Sequence, residues 1–593
     1  MLKSITKNSL VRSVWRLSRS TLMMQGTITY LLVFVVVPWG WAAERTDWLS
    51  RAGWGVMTHY LAAPPSSAGG KEVTAEMWNR QVDAFDVELF ANQVAATGAR
   101  YVLFTIGQNS GHYCAPNATY DKFVGIRPSK CSRRDLIADL AKALKNRDIR
   151  LMVYLPSGAP AADRVARRKL GWRWGRKGGW QLPGEPVGGR LADFQRRWEA
   201  VVREWSLRWG DAVAGWWIDG CYFADQMYRF DDPPNFASFA AALRAGNPDA
   251  IIAFNPGVRV PVIAHTKYED YTAGEVNLPQ LPQAVAACPG RWIERDGAKI
   301  QFHILTFLGK SWCRGDRPQW PDDKIVALTR QLIRKGGAIT FDVPIRPDGE
   351  IPEPFLWQLQ AVGRAIPQTI VPRKEIRFFE QNKTVGLYTW MERFRYRVPP
   401  GTFTMANGVL HFNGEGNGYL CTTKHFRDYH LVVEYRWGEH TSGDRKTMAR
   451  SSGVFLHGRS PDGAYEGKFM AGLECQIIEG GTGDFELLPG KNPDGTEIPR
   501  SVEITVETAD HRDYAGQPVW KKGGKRVTLA DRRGYRVSWF NHDPDWKNIT
   551  GYKPKSDLAS PGKQWTRLDI ICDADRVQYY VNGVLANEAF NVR

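Results

Sequence analysis

An acidic residue ends the apolar run GWWIDG, which covers residues 215–220. Two tryptophans and an isoleucine precede Asp219, and Gly220 follows it. This pattern is typical of a buried strand that delivers its last side chain to the edge of a sheet, where the glycine lets the chain turn at once. In a barrel of alternating strands and helices, that edge opens onto the active site. Asp219 is therefore a candidate catalytic carboxylate, and the alternative is an aspartate that caps the next helix.

Hydrolysis of a glycosidic bond would need a second carboxyl group near Asp219. Retaining glycosidases hold two carboxyl groups about 5–5.5 Å apart, one as nucleophile and one as acid/base. The acid/base must keep its proton near neutral pH, which a partly apolar environment favours. Glu275 in TAGE and Glu294 in RWIERD are candidates for this role on the strength of a family resemblance, whose motifs follow. For either glutamate, the alternative is a carboxylate on a surface loop.

The C-terminal third of the chain carries a second set of polar side chains. VVEYRWG places Glu434 and Arg436 on one face of a strand, and GLECQIIEG places Glu474 and Gln476 on one face of another. A third strand, GVFLHG, includes His457 near its end. Such alternation of polar and apolar residues indicates either a solvated face or a sugar-binding cleft in a concave sheet.

Strand and helix patterns alternate from Trp48 to about Ile366, which predicts a (β/α)8 TIM barrel. The strand patterns are ARYVLFTI, IRLMVYL, VAGWWIDG, AIIAFNP, KIQFHILTF and AITFDVP, and amphipathic helical patterns cover 133–148, 194–210 and 323–337. Beyond the barrel only strand patterns and turn signals remain, which predicts an all-β two-sheet sandwich. The predicted domains are a signal peptide at 1–43, the barrel at 44–366, a linker at 367–385 and the sandwich at 386–593.

The first 43 residues contain five basic residues and no acidic one, followed by the apolar run TITYLLVFVVVPWGWA. Small residues at Gly40 and Ala42 are spaced as a signal peptidase requires, so we predict export to the periplasm or the extracellular space. A retained membrane anchor is the alternative, but Pro38 and the short run disfavour it. We expect no membrane span after signal removal. In an exported chain, Cys114–Cys131 and Cys288–Cys313 are candidate disulfides by proximity.

The formal net charge is +17, so an acidic partner deserves consideration. The densest basic cluster is RVARRKLGWRWGRKGGW at 164–180, which interleaves Arg and Lys with Trp. It is either a surface for an anionic glycan or a solvated loop. No nucleic-acid-binding motif accompanies the charge, so we expect no nucleic-acid partner.

Six motifs follow one another through residues 50–366: GWGVMTHY, GARYVLFTIGQNSGHYC, DLIADLAKALKNRDIRLMVYLPS, GWWIDG, YTAGEVNLP and LIRKGGAITFDVPIRPDGEIPEPFLWQLQAVG. In this order they resemble the motifs of the alpha-L-fucosidase family of glycoside hydrolases, and the last is the most specific. The resemblance implies that Asp219 is the nucleophile of a retaining mechanism. It also implies that His59 is an active-site histidine.

The same resemblance bears on the acid/base and on the sugar pocket. Glu294 stands in a Trp-Glu motif with one inserted residue, and Glu275 matches the glutamate that precedes that motif; we favour Glu294. The family's His-His pair is replaced by Gln108 and Asn109, followed by His112. Since the paired imidazoles bind sugar hydroxyls, the replacement implies an altered sugar pocket.

Further motifs cover residues 400–593, among them VEYRW, SSGVFLHG, LECQIIEGGTGDF and VQYYVNGVLAN. They resemble the 3-keto-disaccharide hydrolase family, which implies a concanavalin-like jelly-roll sandwich. The reaction class implies that a base removes the C2 proton next to a C3 ketone, that the C1 substituent leaves, and that water then adds. We predict Glu474 or His457 as the base. Arg436, or a divalent metal held by Glu434, Glu474 and His457, would stabilise the enolate.

We therefore expect an exported carbohydrate-active enzyme with a glycan substrate, in which the barrel, the sandwich or both cleave glycosidic bonds. The alternative is a non-catalytic glycan-binding protein with a lectin-like sandwich and a degenerate barrel. Apart from the divalent metal in the sandwich, we expect no cofactor. The candidate catalytic residues are Asp219, Glu294, Glu275, Glu474 and His457. The candidate substrate-binding residues are His59, Gln108, Asn109, His112, Trp217, Glu434, Arg436 and Gln476.

Overall fold

The computed structural model describes residues 45–592, apart from 63–72, 159, 176, 178, 180, 224–226, 368, 371, 373, 460, 509–511, 514–515 and 531–534. The predicted signal peptide at 1–43 lies outside the described residues. Within the described part of the chain, no helix is long and apolar enough to cross a membrane.

Helices and parallel strands alternate through the first 366 residues. The strands are β1 Trp54–Thr58, β2 Tyr101–Thr105, β3 Arg150–Pro156, β4 Val213–Asp219, β5 Ile251–Phe254, β6 Trp292–Arg295, β7 Ala298–Gln301, β8 His303–Phe307 and β9 Ala338–Val343. The described α-helices are Asp47–Ala52, Ala75–Asp83, Val87–Thr97, Ala118–Val124, Leu136–Asn146, Arg164–Leu170, Ala192–Trp209, Phe236–Leu243, Leu281–Ala286, Asp322–Arg334 and Glu353–Ala365. Short 3₁₀ helices cover Gly210–Ala212, Cys221–Phe223, Leu278–Gln280 and, in the sandwich, Gly443–Lys446.

Seven of these strands form one parallel sheet in the order β5-β4-β3-β2-β1-β9-β8, and the segment 270–276 closes it into a barrel. Asp270 N donates to Ile252 O of β5 at 2.8 Å, and Val276 N donates to Leu305 O of β8 at 3.0 Å. Gly274 is required here because it adopts a φ of +62° and a Cβ atom would lie 2.0 Å from His303 O. The predicted (β/α)8 barrel is confirmed.

Each strand of the barrel contributes side chains to its interior, which is therefore a packed core and not a pore. The strands and the closing segment contribute Met57, Leu103, Tyr154, Trp217, Ala253, Tyr271, Leu305 and Ala338 to one buried cluster. In this ring, Tyr154 and Trp217 lie close to the carboxyl ends of their strands. They therefore form the floor beneath the side chains that end β4 and the closing segment.

The C-terminal part is all-β, as predicted. Its strands are β10 Thr369–Ile370, β11 Phe379–Glu380, β12 Lys383–Thr384, β13 Leu387–Met391, β14 Phe403–Ala406, β15 Val409–Phe412, β16 Gly418–Thr422, β17 His425–Phe426, β18 Tyr429–Tyr435, β19 Ser451–Arg459, β20 Ala471–Ile478, β21 Phe485–Leu488, β22 Ser501–Val506, β23 Lys525–Ala530, β24 Tyr535–Val537, β25 Thr566–Asp573, β26 Arg576–Val581 and β27 Val584–Phe590. A four-stranded sheet, β19-β20-β21-β24, packs on a six-stranded sheet, β18-β25-β26-β27-β22-β23. Between the sheets lie apolar side chains such as Leu473, Cys475, Ile504 and Ile570.

The barrel and the sandwich are held together by direct contacts. Asn92, in helix Val87–Thr97, donates from Nδ2 to Thr389 Oγ1 of β13 at 2.9 Å, and Thr389 N donates back to Asn92 Oδ1 at 3.2 Å. Arg397 forms ion pairs with Asp86 at 3.1 Å and Asp348 at 2.7 Å. Within the predicted linker, β10 pairs in parallel with β17, so part of that segment is a strand.

All eight cysteines are described, and all are free thiols. The suggested disulfides Cys114–Cys131 and Cys288–Cys313 are therefore wrong. Cys114 and Cys131 are buried in the apolar core, where a cysteine packs as a small hydrophobic residue.

Candidate functional site

Asp219 ends β4 and stands half-buried at the carboxyl edge of the barrel. Its Oδ2 accepts a hydrogen bond from Tyr154 Oη at 2.5 Å, and its Oδ1 accepts one from Asn255 Nδ2 at 2.8 Å. Tyr222 Oη also donates to Oδ1, at 3.3 Å. Three donors on one carboxylate fix its orientation and stabilise its charge, which suits a group that must act as an anion.

Glu275 lies near the end of the closing segment, which occupies the strand position between β5 and β8. Its side chain reaches the same edge of the barrel as Asp219. The Nδ2 atom of Asn255 donates to Glu275 Oε2 at 2.7 Å as well as to Asp219 Oδ1. Because both carboxylate oxygens lie on one nitrogen, they are no more than about 5.5 Å apart, which is within the separation of a retaining pair. A single amide thus holds the two carboxyl groups at a catalytic spacing.

The electrostatics separate the two carboxyl groups into different roles. Burial, reinforced by the negative charge of Asp219, raises the pKa of Glu275 to about 7, while the Asn255 hydrogen bond and the nearby His59 oppose the shift. Glu275 therefore retains a proton near neutral pH, as a general acid must. The hydrogen-bonded Asp219 lies beside it as the second carboxyl group of the site.

His59 follows β1 and lies in the same site. Its Nδ1 is 2.7 Å from Asp342 Oδ1, and its ring lies 5.5 Å from the ring of Tyr154, edge to face. Burial alone would lower the pKa of His59, but the carboxylates of Asp342, Asp219 and Glu275 raise it above its usual value. A cationic imidazole at this position balances the negative charge of the site.

The other predicted barrel residues fall into two groups. Gln108 joins the site, because its Nε2 donates to Tyr154 Oη at 2.6 Å. Trp217 supports Tyr154 from below, stacked at 5.4 Å, and is itself buried. Asn109 is half-buried in the loop after β2, where its carbonyl accepts from Ala162 N at 2.9 Å. His112 is buried against the ring of Trp78 at 6.1 Å, so it packs in the wall of the barrel.

Glu294 lies elsewhere. It is exposed on the antiparallel hairpin β6–β7, opposite Lys299. The hairpin runs directly into the amino end of β8, and Arg291 at its base pairs with Asp47, in the helix before β1, at 2.5 Å. It therefore starts at the end of the barrel opposite Asp219. Of the two glutamates proposed as acid/base, the geometry favours Glu275.

Three residues of the site were not predicted: Tyr154, Tyr222 and Asn255. Asn255 directly follows the apolar strand in AIIAFNP, so the argument that identified Asp219 at the end of GWWIDG also applies to it. Tyr154 belongs to the mostly apolar run IRLMVYL, so its position predicts a core residue. Its hydroxyl group joins the site only because the fold places it within hydrogen-bond distance of Asp219.

A second cluster of carboxyl groups lies on the outer face of the four-stranded sheet. Glu474 of β20 stands opposite Glu486 of β21, which stands opposite Arg536 of β24. Gly453 makes room for Glu474, since a Cβ atom at this glycine would lie 1.8 Å from Glu474 Oε1. Gln476 lies on the same face and donates to Ser451 Oγ at 3.0 Å. Glu474, Gln476, Glu486 and Arg536 line a groove of about 2740 Å³.

The charges in this cluster do not cancel. Arg536 is bound to the buried Asp484, at 2.8 Å from its Nε, and approaches Glu486 only to 3.7 Å. Burial and the neighbouring Glu486 raise the pKa of Glu474, and burial raises the pKa of Glu486 against the effect of Arg536. The two glutamates therefore hold one proton between them more readily than two negative charges.

The remaining sandwich candidates line the same cavity from other strands. Glu434 is in β18 of the other sheet, paired with Arg567, and points to that sheet's outer face. Arg436 stacks over the ring of Trp565 at 4.8 Å. His457 has a φ of +51° at a bulge, which turns its Nε2 to within 3.8 Å of Cys572 Sγ. Among the described residues no group of three His, Cys, Asp or Glu side chains could hold a metal, so the suggested set of Glu434, Glu474 and His457 is not assembled.

Family comparison assigns both parts of the chain to known families. The alpha-L-fucosidase family model matches residues 71–368, just over half of the chain. This chain belongs to the alpha-L-fucosidase family. Membership makes the barrel a glycoside hydrolase domain. A second model, for the 3-keto-alpha-glucoside-1,2-lyase-like domain, matches residues 379–593. No curated protein sequence matches the chain.

Solved structures similar to this family member include the endo-fucoidan hydrolase MfFcnA9 from glycoside hydrolase family 107. It is 14% identical, covers 92% of this chain and 98% of its own, and has a TM-score of 0.43. Alpha-L-fucosidase isoenzyme 1 from Paenibacillus thiaminolyticus is 17% identical over 54% of this chain and 74% of its own, with a TM-score of 0.38. Alpha-L-fucosidase AlfC from Lactobacillus casei, in complex with alpha-L-fucose product, is 15% identical. The match covers 54% of this chain and 97% of AlfC, with a TM-score of 0.38.

Proposed function

We propose that the barrel hydrolyses an α-L-fucoside or a closely related glycoside with retention of configuration. The observation that carries the proposal is the single Asn255 amide that binds both Asp219 and Glu275. Asp219 attacks the anomeric carbon while Glu275 gives its proton to the departing oxygen, so the glycosidic bond breaks as a glycosyl ester forms. Glu275, now ionised, takes a proton from water, which attacks the same carbon and releases Asp219.

Family membership suggests the class of sugar, and the residues that line the pocket restrict it further. Gln108 and Asn109 stand where the family has two histidines, so amide groups replace imidazoles as partners for sugar hydroxyls. Gln108 is fixed by Tyr154, which in turn binds the nucleophile. We therefore propose a fucose-like sugar whose hydroxyl recognition is coupled to the orientation of Asp219.

The test is chemical rescue of the nucleophile. Asp219→Ala should be inactive on an aryl α-L-fucoside, and added azide should restore release of the aryl group with formation of a glycosyl azide. Glu275→Gln should lose activity on substrates with poor leaving groups and keep more of it with activated aryl groups, because only the former need the proton. Full activity of Asp219→Ala on a panel of aryl glycosides would refute the mechanism and favour a glycan-binding barrel.

The sandwich supports a second candidate function, elimination from 3-keto-glycosides, because Glu474 and Glu486 share a proton in a groove. In this proposal the ionised glutamate removes the C2 proton. The electron pair forms the C1–C2 double bond, the C1–O bond breaks, and the protonated glutamate gives its proton to the leaving oxygen. Water then adds across the double bond. Arg536 lies at the same face and supplies positive charge for the enolate oxygen.

The two proposed activities are separable by variant. Glu474→Gln should abolish cleavage of an aryl 3-keto-glucoside and leave aryl fucoside cleavage unchanged, and Asp219→Asn should do the reverse. A divalent metal in the sandwich stays a proposal without an assembled ligand set; loss of 3-keto-glucoside cleavage after chelation would support it. If neither variant alters turnover of either substrate, a lectin-like sandwich is the better interpretation.

We propose that the protein acts outside the cytoplasm, on the basis of the basic and apolar segment at 1–43. Expression of the full chain followed by N-terminal sequencing of the exported form should give a first residue close to position 44. Recovery of the intact N-terminus in the membrane fraction would favour the retained anchor.

A further inference from the structure

A long segment, 157–191, connects the carboxyl end of β3 to helix Ala192–Trp209. Its first residue, Ser157, donates from its amide to Asp219 O at 2.7 Å. Ala162 N donates to the carbonyl of Asn109, in the loop that also carries Gln108. The segment therefore borders the site at two points.

Within this segment, helix Arg164–Leu170 presents a strongly basic outer face. Ala166, Arg167 and Leu170 are buried against the barrel, whereas Arg164, Arg168 and Lys169 are exposed. Residues 164–180 include no acidic residue, and the three exposed cations make no ion pair with any described residue. Arg164 and Arg168 are four residues apart on one helix face, where like charges destabilise a helix.

The helix is nevertheless firmly held. Arg167 forms two hydrogen bonds with Glu185, both of 2.7 Å, and lies 4.9 Å from the ring of Trp172. Asp163 caps the helix and pairs with Lys130 at 2.8 Å. At the other end, Arg197 Nη1 donates to the carbonyl of Lys169 at 2.8 Å, which adds a further cation to the same ridge. The one internal acid partner, Glu185, neutralises the buried arginine and leaves the outer ones uncompensated.

We propose that this ridge, formed by Arg164, Arg168, Lys169 and Arg197, binds an anionic polysaccharide and guides it to the barrel site. The ligand class is a glycan chain bearing sulfate esters or carboxylates, since both present the oxygen acceptors that guanidinium groups bind. The proposal rests on the barrel acting on a glycan. It adds that the natural substrate is a charged polymer, recognised away from the bond that is cleaved.

The test measures binding without turnover, in the Asp219→Asn protein. Affinity electrophoresis in gels containing dextran sulfate, polygalacturonate or neutral dextran gives the dissociation constant for each polymer. The variant is Arg164→Gln with Arg168→Gln, and the matched control is Lys142→Gln with Lys145→Gln, two exposed lysines on helix Leu136–Asn146. Both double variants lose two positive charges, and thermal unfolding confirms that both remain folded.

We expect an anionic polymer to bind more tightly than neutral dextran, and salt to weaken that binding. The Arg164/Arg168 variant should bind about 3- to 30-fold more weakly, and the lysine control should be unchanged. Retention by dextran sulfate alone identifies a sulfate-ester ligand, and retention by polygalacturonate alone identifies a uronate. Retention by both polymers identifies a site that binds according to charge density.

Equal losses in the two double variants would overturn the proposal, because they would show a response to net charge alone. Tighter binding of duplex DNA than of any glycan would overturn it too. The outcome is independent of the azide rescue, which tests the barrel chemistry separately.

Discussion

Replacement of Glu275 by glutamine tests the assignment of the acid/base through stability as well as activity. The pKa of the Glu275 carboxyl group is raised from its ordinary value of 4.5 to about 7 by burial and by the charge of Asp219. Because the folded-state pKa lies above the unfolded one, the protonated group is favoured in the folded protein. Its contribution to stability is complete below pH 4.5 and is lost as the pH rises through about 7.

The size of the effect follows from the same numbers. At about 1.4 kcal/mol for each pH unit, ionisation of Glu275 costs the folded state about 3 kcal/mol in alkaline solution. Glutamine carries no charge, keeps an oxygen that accepts from Asn255, and has nearly the same volume. Glu275→Gln should therefore equal the wild type in stability at pH 4, exceed it increasingly between pH 5 and 7, and exceed it by up to about 3 kcal/mol at pH 8.5.

The assay is urea unfolding, followed by tryptophan fluorescence, at several pH values from 4 to 8.5, together with aryl glycoside hydrolysis. Glu294→Gln is the matched control, because Glu294 is exposed and no such gain in stability is expected. The reasoning is refuted if Glu275→Gln is less stable than the wild type at pH 8.5. It is refuted equally if Glu294→Gln abolishes hydrolysis while Glu275→Gln retains it.

Three further predictions concern the supporting residues. Tyr154→Phe removes the 2.5 Å hydrogen bond to Asp219, and kcat/KM on aryl fucosides should fall about 10- to 100-fold with little change in KM. Glu486→Gln removes a charge that raises the pKa of Glu474, so any pH limb of 3-keto-glucoside cleavage that reports Glu474 should move to lower pH; a move to higher pH would contradict the pairing. Gly453→Ala places a methyl group where Glu474 Oε1 now lies, and should reduce sandwich activity more than tenfold while aryl fucoside hydrolysis stays at the wild-type rate.

The fold was largely predictable because the helical repeat of the barrel half and the strand alternation of the sandwich half are both strong in this sequence. The runs at 101–105, 213–219 and 338–343 are almost wholly apolar, as parallel strands covered on both faces must be. Asp219 stood out because one acidic residue ended such a run. Glu275 was a candidate only through the family resemblance, because its segment is bent at Gly274 and pairs with β8 at one isolated bridge, so TAGE lacks the pattern of a strand.

Which polar side chains of the sandwich lie beside one another could not be predicted from the sequence, for a different reason. Alternation assigns Glu434 and Glu474 to the polar face of their own strands, but it does not assign strands to sheets. β18 and β20 lie in different sheets, so Glu434 and Glu474 are not neighbours on one sheet face, although both line the same cavity. Similarly, His457 was expected beside Glu474, but a bulge with positive φ rotates it toward Cys572. Strand register and sheet order depend on contacts distant in sequence, which a local pattern does not contain.

The barrel site and the sandwich cluster use one physical device. In each, two carboxyl groups lie close together in a partly buried setting, which raises the pKa of Glu275 in the barrel and of Glu474 in the sandwich. In the barrel the two carboxyl groups differ in their donors: among the described residues Tyr154, Tyr222 and Asn255 donate to Asp219, and only Asn255 donates to Glu275. In the sandwich Arg536 binds Asp484, and within the described part of the chain neither Glu474 nor Glu486 receives such a set of donors. The barrel pair is therefore suited to a mechanism in which one carboxylate attacks and the other transfers a proton. The sandwich pair is suited to moving a proton between neighbouring positions of a sugar ring, which is the chemistry of elimination.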